Sequence, residues 1–489
     1  MSMASWGLFR LIGDAMKALK PLRPILLSAC LAALAAPAQA AESAITSLAA
    51  DRLSTAVTVY NDNLALVKER RMLTLPTGPV RLSLREVSAQ MQPETALLRA
   101  VTGKPITLVE QNFDFDLLTP QKLLDKYVGR EVSVIRINPA TGAETREKAT
   151  VLAAGQGTVL RFADRIETGV PGRIAYDSVP PNLRDRPTLS VLFDGAGGNQ
   201  TLELSYLTGG LSWKADYVAE LAADGKSLDL SGWVTLTNAS GVSYENAHLQ
   251  LVAGTVNRVT PRQPMFEAKA VGRALMAAPA APREEGLMDY HLYTFERPTT
   301  LAENQTKQLA LLSASNVPAE REYVLAGADY YYQGRYDSLG EKINPAVFLT
   351  FQNKGGDLGK PLPAGTVRAY ARDSQGAAQF VGEDRIEHTA KHETVRLKLG
   401  EAFDITADRA QTNYKRISDR SVETSYRIVI RNAKTESAVI KVQEPLPGDW
   451  DITQESLKHS KPSSRIAQWN VLVPAEGSAT LEYTARVKW

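Results

Sequence analysis

The sequence predicts an all-β fold: tandem antiparallel β-sandwich domains of immunoglobulin-like type, preceded by a small β-rich amino-terminal region with one short helix. Three observations carry this. Apolar and polar residues alternate with a period of two along most of the chain. Turn signals built on Gly, Asn and Asp separate the alternating runs. No strand–helix alternation of the doubly wound kind appears, so short strands with one polar face point to antiparallel sandwiches.

The first element is a leader. Residues 1–23 carry Arg10, Lys17, Lys20 and Arg23 against the single acid Asp14, and an apolar run follows from Ile25 to Ala36. Pro37-Ala38-Gln39-Ala40-Ala41 then supplies an A-x-A ending. This describes a signal peptide over residues 1–41, cleaved after Ala40 or Ala41, and an exported, periplasmic or extracellular protein. The apolar run is shorter than the roughly 20 residues a membrane span needs. Leu27-Ser28-Ala29-Cys30 is an alternative reading, a lipoprotein box with lipidation at Cys30.

Composition narrows the function classes. The 489 residues are 22% charged and 44% hydrophobic, with a net charge of +2. Removing residues 1–41 leaves 52 basic and 53 acidic residues, so no global field points to nucleic acid. Cys30 is the sole cysteine, which excludes thiol catalysis, iron–sulfur clusters and Cys-zinc sites from the mature chain.

Residues 42–185 form the expected amino-terminal region. Its helix runs from Thr119 to Val128: Thr119 caps it, Pro120 suits its first position, Leu123, Leu124 and Tyr127 give it a face, and Gly129 ends it.

Residues 186–345 read as a sandwich domain. Leu202, Leu204 and Tyr206 share one strand face, as do Trp213, Ala215, Tyr217 and Ala219, then Leu228, Leu230, Val234 and Leu236. Asp194-Gly195, Gly197-Gly198-Asn199 and Asp224-Gly225 read as turns, with Gly195 to Gly198 as a hairpin loop. An Ala/Pro-rich excursion over 261–286, with a weaker candidate helix at Glu267 to Ala278, interrupts the domain.

Residues 346–489 form a second sandwich. Val395, Leu397 and Leu399 alternate with Arg396 and Lys398, and turns are expected at Lys354 to Asp357 and at Glu476-Gly477. Tyr426, Ile428 and Ile430 give another face, and Leu481, Tyr483, Ala485, Val487 and Trp489 another. A terminal strand of that kind also resembles the closing strand of an outer-membrane β-barrel. The 7% aromatic content and balanced charge favour the sandwich.

Several strings resemble one known family. They are Leu204 to Tyr217 (LSYLTGGLSWKADY), Gly232 to Asn238 (GWVTLTN), Leu251 to Gly254, Leu362 to Arg368 (LPAGTVR) and Gly382 to Ile386 (GEDRI). Together they look like the bacterial envelope family "domain of unknown function 4139", relatives of the mucoidy-inhibitor-A-like proteins. Gln111 to Leu118 resembles the region that often precedes that domain, so the likeness spans about residues 57–489. It implies an exported β-rich protein and assigns no catalytic residues or activity. The long coiled-coil insertion of the mucoidy-inhibitor-like members has no counterpart here.

Motifs for chemistry are sparse. No G-x-S-x-G, Walker loop or dinucleotide fingerprint occurs, and no cofactor is implied. His388 and His392 lack the Glu of H-E-x-x-H and sit between strand-like runs, where a turn is expected and no metal. Asp114 and Asp116 alternate with Phe113 and Phe115. Two carboxylates at i, i+2 on a strand lie about 6.7 Å apart at the backbone, within the range of an inverting glycosidase pair. That makes a glycan-directed hydrolase the competing class.

Five tyrosines fall within Tyr323 to Tyr336. Tyr330, Tyr331, Tyr332, Arg335 and Tyr336 form the leading candidate contact surface, because rings with polar tips suit sugar stacking or protein contact. The expected function is a non-catalytic envelope binding or assembly module. Its partner would be an envelope protein or glycan, with membrane contact only through lipidation or a barrel.

Overall fold

The computed structural model describes residues 43–489, apart from 156, 170, 171, 181, 182, 255 and 258–281. The signal peptide expected over residues 1–41, with Cys30, lies outside the described residues, as does the excursion up to residue 281 with its candidate helix at 267–278. The excursion's end, Arg283–Leu287, is a strand paired with Tyr290–Thr294.

Strands dominate, and the fold is all-β. The two ten-stranded sheets are mixed, whereas the five- and four-stranded sheets are antiparallel throughout. Ser43–Ser47 runs parallel to Val80–Leu84, and His248–Val252 runs parallel to Ala56–Tyr60. Ala215–Leu221 and Gly365–Ala371, and Tyr323–Ala326 and Ile440–Gln443, are parallel pairs too. Local alternation cannot reveal this, because period two reports which face is buried and is silent on a distant partner's direction.

The longest ribbon joins Leu64–Arg85 to Thr188–Thr208. It overturns the hairpin loop expected at Gly195 to Gly198. The strand passes straight through, with Gly195 opposite Gly78, Ala196 opposite Thr77 and Gly198 opposite Leu75. Gly78, Gly197 and Gly198 hold φ of 89°, 78° and 82°, and a Cβ on Gly195 would meet the Pro76 carbonyl at 2.3 Å. The glycines allow close approach and irregular backbone inside a continuous ladder. The turn at Asp224-Gly225 joins paired strands, and Glu476-Gly477 connects consecutive strands of two different sheets.

Three hydrophobic cores form among the described residues; the first two interleave along the chain, and the third draws on the single stretch 124–162. The first lies between two sheets. Val57, Val67, Leu82, Val191 and Leu204 come from one, and Trp213, Tyr217, Leu230, Val367 and Leu397 from the other. The Trp213 indole N–H donates to the Val252 carbonyl at 3.3 Å, linking those sheets. Residues 42–185 therefore supply strands to the same core as residues 186–253, and strands of 346–401 join it as well.

The second core gathers Ile428, Val442, Trp469, Leu481, Tyr483 and Val487. The 22-residue strand Gln305–Ala326 contributes to both cores, with Leu311 in the first and Leu325 in the second.

The third core is small and sits within the amino-terminal region. Val132, Val134, Val151 and Leu160 of a five-stranded sheet pack with Leu124 of the helix Pro120–Lys126 and with Tyr127 at its C-terminal cap. The Thr119 hydroxyl accepts the Lys122 N–H at 3.2 Å, and Gly129 follows at φ 82°.

The terminal strand corrects the barrel reading. Leu481, Tyr483, Ala485 and Val487 are 0–2% exposed within the second core. A membrane barrel would turn that apolar row to lipid. Here a facing sheet covers it.

One local device recurs. Asn238 and Asn432 end their strands and Asn353 directly follows one, each with the side chain buried. Each amide donates to two backbone carbonyls at 3.0 Å or less: Val242 and Leu301, Lys360 and Ala390, Glu436 and Pro474. Each Oδ1 also accepts a loop N–H, from Ser240, Gly359 and Lys434 in turn. A side chain with two donors and an acceptor satisfies backbone groups that leave the ladder where the strand stops.

Candidate functional site

The two carboxylates expected to act together have different partners in the structure. Asp114 is the last residue of its strand, and its Oδ2 accepts from Arg184 at 3.0 Å and from the Ser190 hydroxyl at 3.3 Å. Asp116 lies beyond the strand, 2.8 Å from Lys126 Nζ and 3.3 Å from Lys122 Nζ. These lysines are i, i+4 on the helix and close on Asp116 from one face. The Lys126 hydrogen bond, aided by Lys122, holds the Asp116 carboxyl below the usual range. A general acid needs the opposite shift.

The tyrosine segment is also divided. Asp329–Tyr332 forms a 3₁₀ turn in which Tyr331 and Tyr332 are buried, and Tyr323 is buried on the strand before it. Tyr331 and Tyr332 therefore leave the expected contact surface. The Tyr332 hydroxyl lies 3.0 Å from that of Tyr483 and donates to Glu444 Oε2 at 3.3 Å. Glu444 pairs with Arg409 at 2.7 Å, and the Arg409 guanidinium lies over the Tyr331 ring. Burial pushes the Glu444 carboxyl up while Arg409 opposes the rise.

What remains at the surface is a smaller patch of Tyr330, Arg335 and the half-buried Tyr336. Its rings meet edge to face at 5.6 Å, and the Tyr336 hydroxyl donates to the Tyr330 carbonyl at 2.9 Å. The buried half of the segment fixes the exposed half.

A polar cleft of about 460 Å³ opens where several strands begin or end. Its walls come from Arg52 to Thr55, from Glu86 and Arg186, from Val242, Ser243, Glu245 and Asn246, and from Glu303. Backbone regularity breaks down around it. Pairing shifts between Arg52 and Ser54 and between Tyr244 and Ala247, and Glu86 and Asn246 hold φ of 61° and 44°. Such positions in non-glycine residues persist only where the surroundings over-determine them.

A buried ionic cluster adjoins the cleft. Glu69 Oε2 lies 2.7 Å from Arg71 Nη2 and 3.2 Å from Arg52 Nε, and Glu69 and Arg71 are almost wholly excluded from solvent. Arg71 Nη1 also donates to the Ser47 carbonyl and hydroxyl at 3.3 Å, tying down the first described strand. Glu69 Oε1 is buried without a hydrogen-bond partner. Burial drives the Tyr206 hydroxyl well up and Tyr244 up to about 12, and the Glu69 charge adds to both.

Sequence reasoning missed the cleft. Glu69 and Arg71 lie on a strand whose alternation marks them as core positions, and a charge at such a position is the signal that was available.

These features define a class: a β-sheet protein whose charged groups are organised around a polar cleft and which also exposes a short aromatic patch. Residues 202–489 match the family model described as "Domain of unknown function (DUF4139)", and the chain belongs to that family. The matched span begins at Leu202, so the Leu64–Arg85 strand that completes the first core lies outside it. No curated protein matches the chain.

Proposed function

We propose that this chain is an exported cell-envelope protein of tandem immunoglobulin-like sandwiches that acts by binding or assembly and without catalysis. Its partner in this reading is an envelope protein or glycan. The observation that carries the proposal is the cleft walled by Arg52, Glu86 and Arg186. Arg52 is held by buried Glu69, so that wall is set before any ligand arrives. A preorganised surface loses little freedom on binding. The Tyr330–Arg335–Tyr336 patch is a second contact surface of the same kind, since its rings are fixed from beneath.

The test is cell fractionation with intact mass, combined with a photo-crosslinking side chain at Leu53 on the cleft wall or at Tyr330. The expected product is an envelope fraction whose mature chain begins at Ala41 or Glu42, with a cross-linked partner from at least one position. A cytoplasmic chain that retains residues 1–41 would overturn the export reading. Absence of cross-links from both positions would overturn the binding reading.

A further inference from the structure

The cleft contains charges of both signs that do not neutralise one another. Glu86 and Arg52 are already engaged: the Glu86 carboxylate accepts the Ala49 N–H at 2.7 Å, and Arg52 donates to the Glu86 carbonyl and faces Glu69. They build the wall. Arg186, Glu245 and Glu303 are exposed and are engaged in no ion pair among the described residues. Arg186 thus lies farther than 4.0 Å, the ion-pair distance, from either carboxylate. A gap between opposite charges on the same cleft is the complement of a ligand with both charges at separate ends.

The other chemistries fit less well. A phosphate or other bare anion would meet Glu86, Glu245 and Glu303 as well as Arg186. A simple cation would leave Arg186 without a partner. No aromatic ring lines the cleft, so a sugar has no face to stack on. Ser54 and Asn246 add neutral hydrogen-bonding groups to the lining, which suits peptide amides. The volume falls in the ordinary range for small-ligand sites.

We propose that the cleft binds a short peptide with free ends, placing its carboxylate against Arg186 and its ammonium group against Glu245 and Glu303. This rests on the reading of the chain as a binding module and names the ligand class of its cleft.

The test uses the mature full-length chain and three probes, Ala-Ala-Ala, its N-acetylated form and its C-amidated form, titrated by calorimetry. Free tripeptide is expected to bind, and capping either end to weaken binding at least about tenfold. In Glu245→Gln/Glu303→Gln, free and acetylated peptide should bind alike. In Arg186→Gln, free and amidated peptide should bind alike. All three side chains are exposed, and a thermal melt identifies any variant that fails to fold.

No binding of the free tripeptide at about 10 mM overturns the proposal, as does equal affinity for all three probes in the wild-type chain. Should the tripeptides fail while Leu53 still cross-links to an envelope component, the ligand class falls and the binding-module reading stands.

Discussion

Arg409 and Glu444 form an ion pair at 2.7 Å with both side chains wholly excluded from solvent. The pair joins the edge of the second core to the tyrosine turn through Tyr331 and Tyr332. Removing one partner leaves the other as an uncompensated buried charge. Arg409→Ala is expected to cost about 3–5 kcal/mol in urea unfolding, whereas Arg409→Met/Glu444→Leu recovers most of that loss. The sign of the pH effect follows from Glu444, whose folded pKa is raised. Its contribution is fully present below the unfolded value and declines as pH rises through the folded one. Without Arg409 the folded value rises further, so the variant's deficit should be larger at pH 8 than at pH 4.

Gly327 gives a steric test of the same network. A Cβ there would lie 1.9 Å from Glu444 Oε2, which accepts from Tyr332 while Arg409 holds Oε1 of the same carboxylate. Gly327→Ala is expected to destabilise by about 1–3 kcal/mol through overpacking. Pairing it with Glu444→Gln keeps most of the clash, but pairing it with Glu444→Ala removes it. Chemical denaturation of the two double variants distinguishes these cases.

Asp116 is held ionised by Lys126 and Lys122, so its folded pKa lies below its unfolded one. Its contribution is present above the unfolded value and is lost as pH falls through the folded value. Asp116→Asn should therefore be less stable than wild type at neutral pH and equal to it in strong acid. The difference is small, because the ion pair faces solvent. A carboxyl-carbon NMR titration should place Asp116 below the usual carboxylate range; a midpoint above it would restore the general-acid reading.

The strand-end asparagines predict a third kind of loss. Asn432→Ala leaves the carbonyls of Glu436 and Pro474 without their donor. About 1–3 kcal/mol is expected for each carbonyl that stays dry, less where water reaches it. Equilibrium unfolding of Asn432→Ala should show the loss, and Asn432→Asp, which keeps only the acceptor for Lys434, should not restore it.

The small third core should unfold by itself. Leu160→Ala removes a fully buried side chain from it, at a cost of about 2–5 kcal/mol. Hydrogen exchange should then show lost protection over the sheet of Glu131–Ile137 and Glu144–Ala153. The ribbon of Leu64–Arg85 and Thr188–Thr208 belongs to another core and should stay protected.

Local chemistry made much of this protein legible in the sequence. The buried rows Leu202-Leu204-Tyr206, Trp213-Ala215-Tyr217-Ala219 and Leu481-Tyr483-Ala485-Val487 follow from period-two alternation, because successive side chains in a strand point to opposite faces. The helix after Thr119 follows from its cap, its Pro120 and its closing Gly129. The motifs between Leu204 and Ile386 pointed to the family that the matched span defines. Tertiary structure decided the rest, because it depends on which distant segments meet. Gly195 to Gly198 has the composition of a hairpin, yet a partner strand more than a hundred residues away carries the ladder through it. Asp114 and Asp116 alternate as a pair, yet Arg184 and the lysines of the next helix claim them separately. Tyr332 turns inward because Glu444 and Tyr483 wait in the core with hydrogen bonds to offer, and Tyr331 lies against the buried Arg409 guanidinium. The cleft draws its walls from residues 49 to 303, and its charges become a site only when the long strands bring them together.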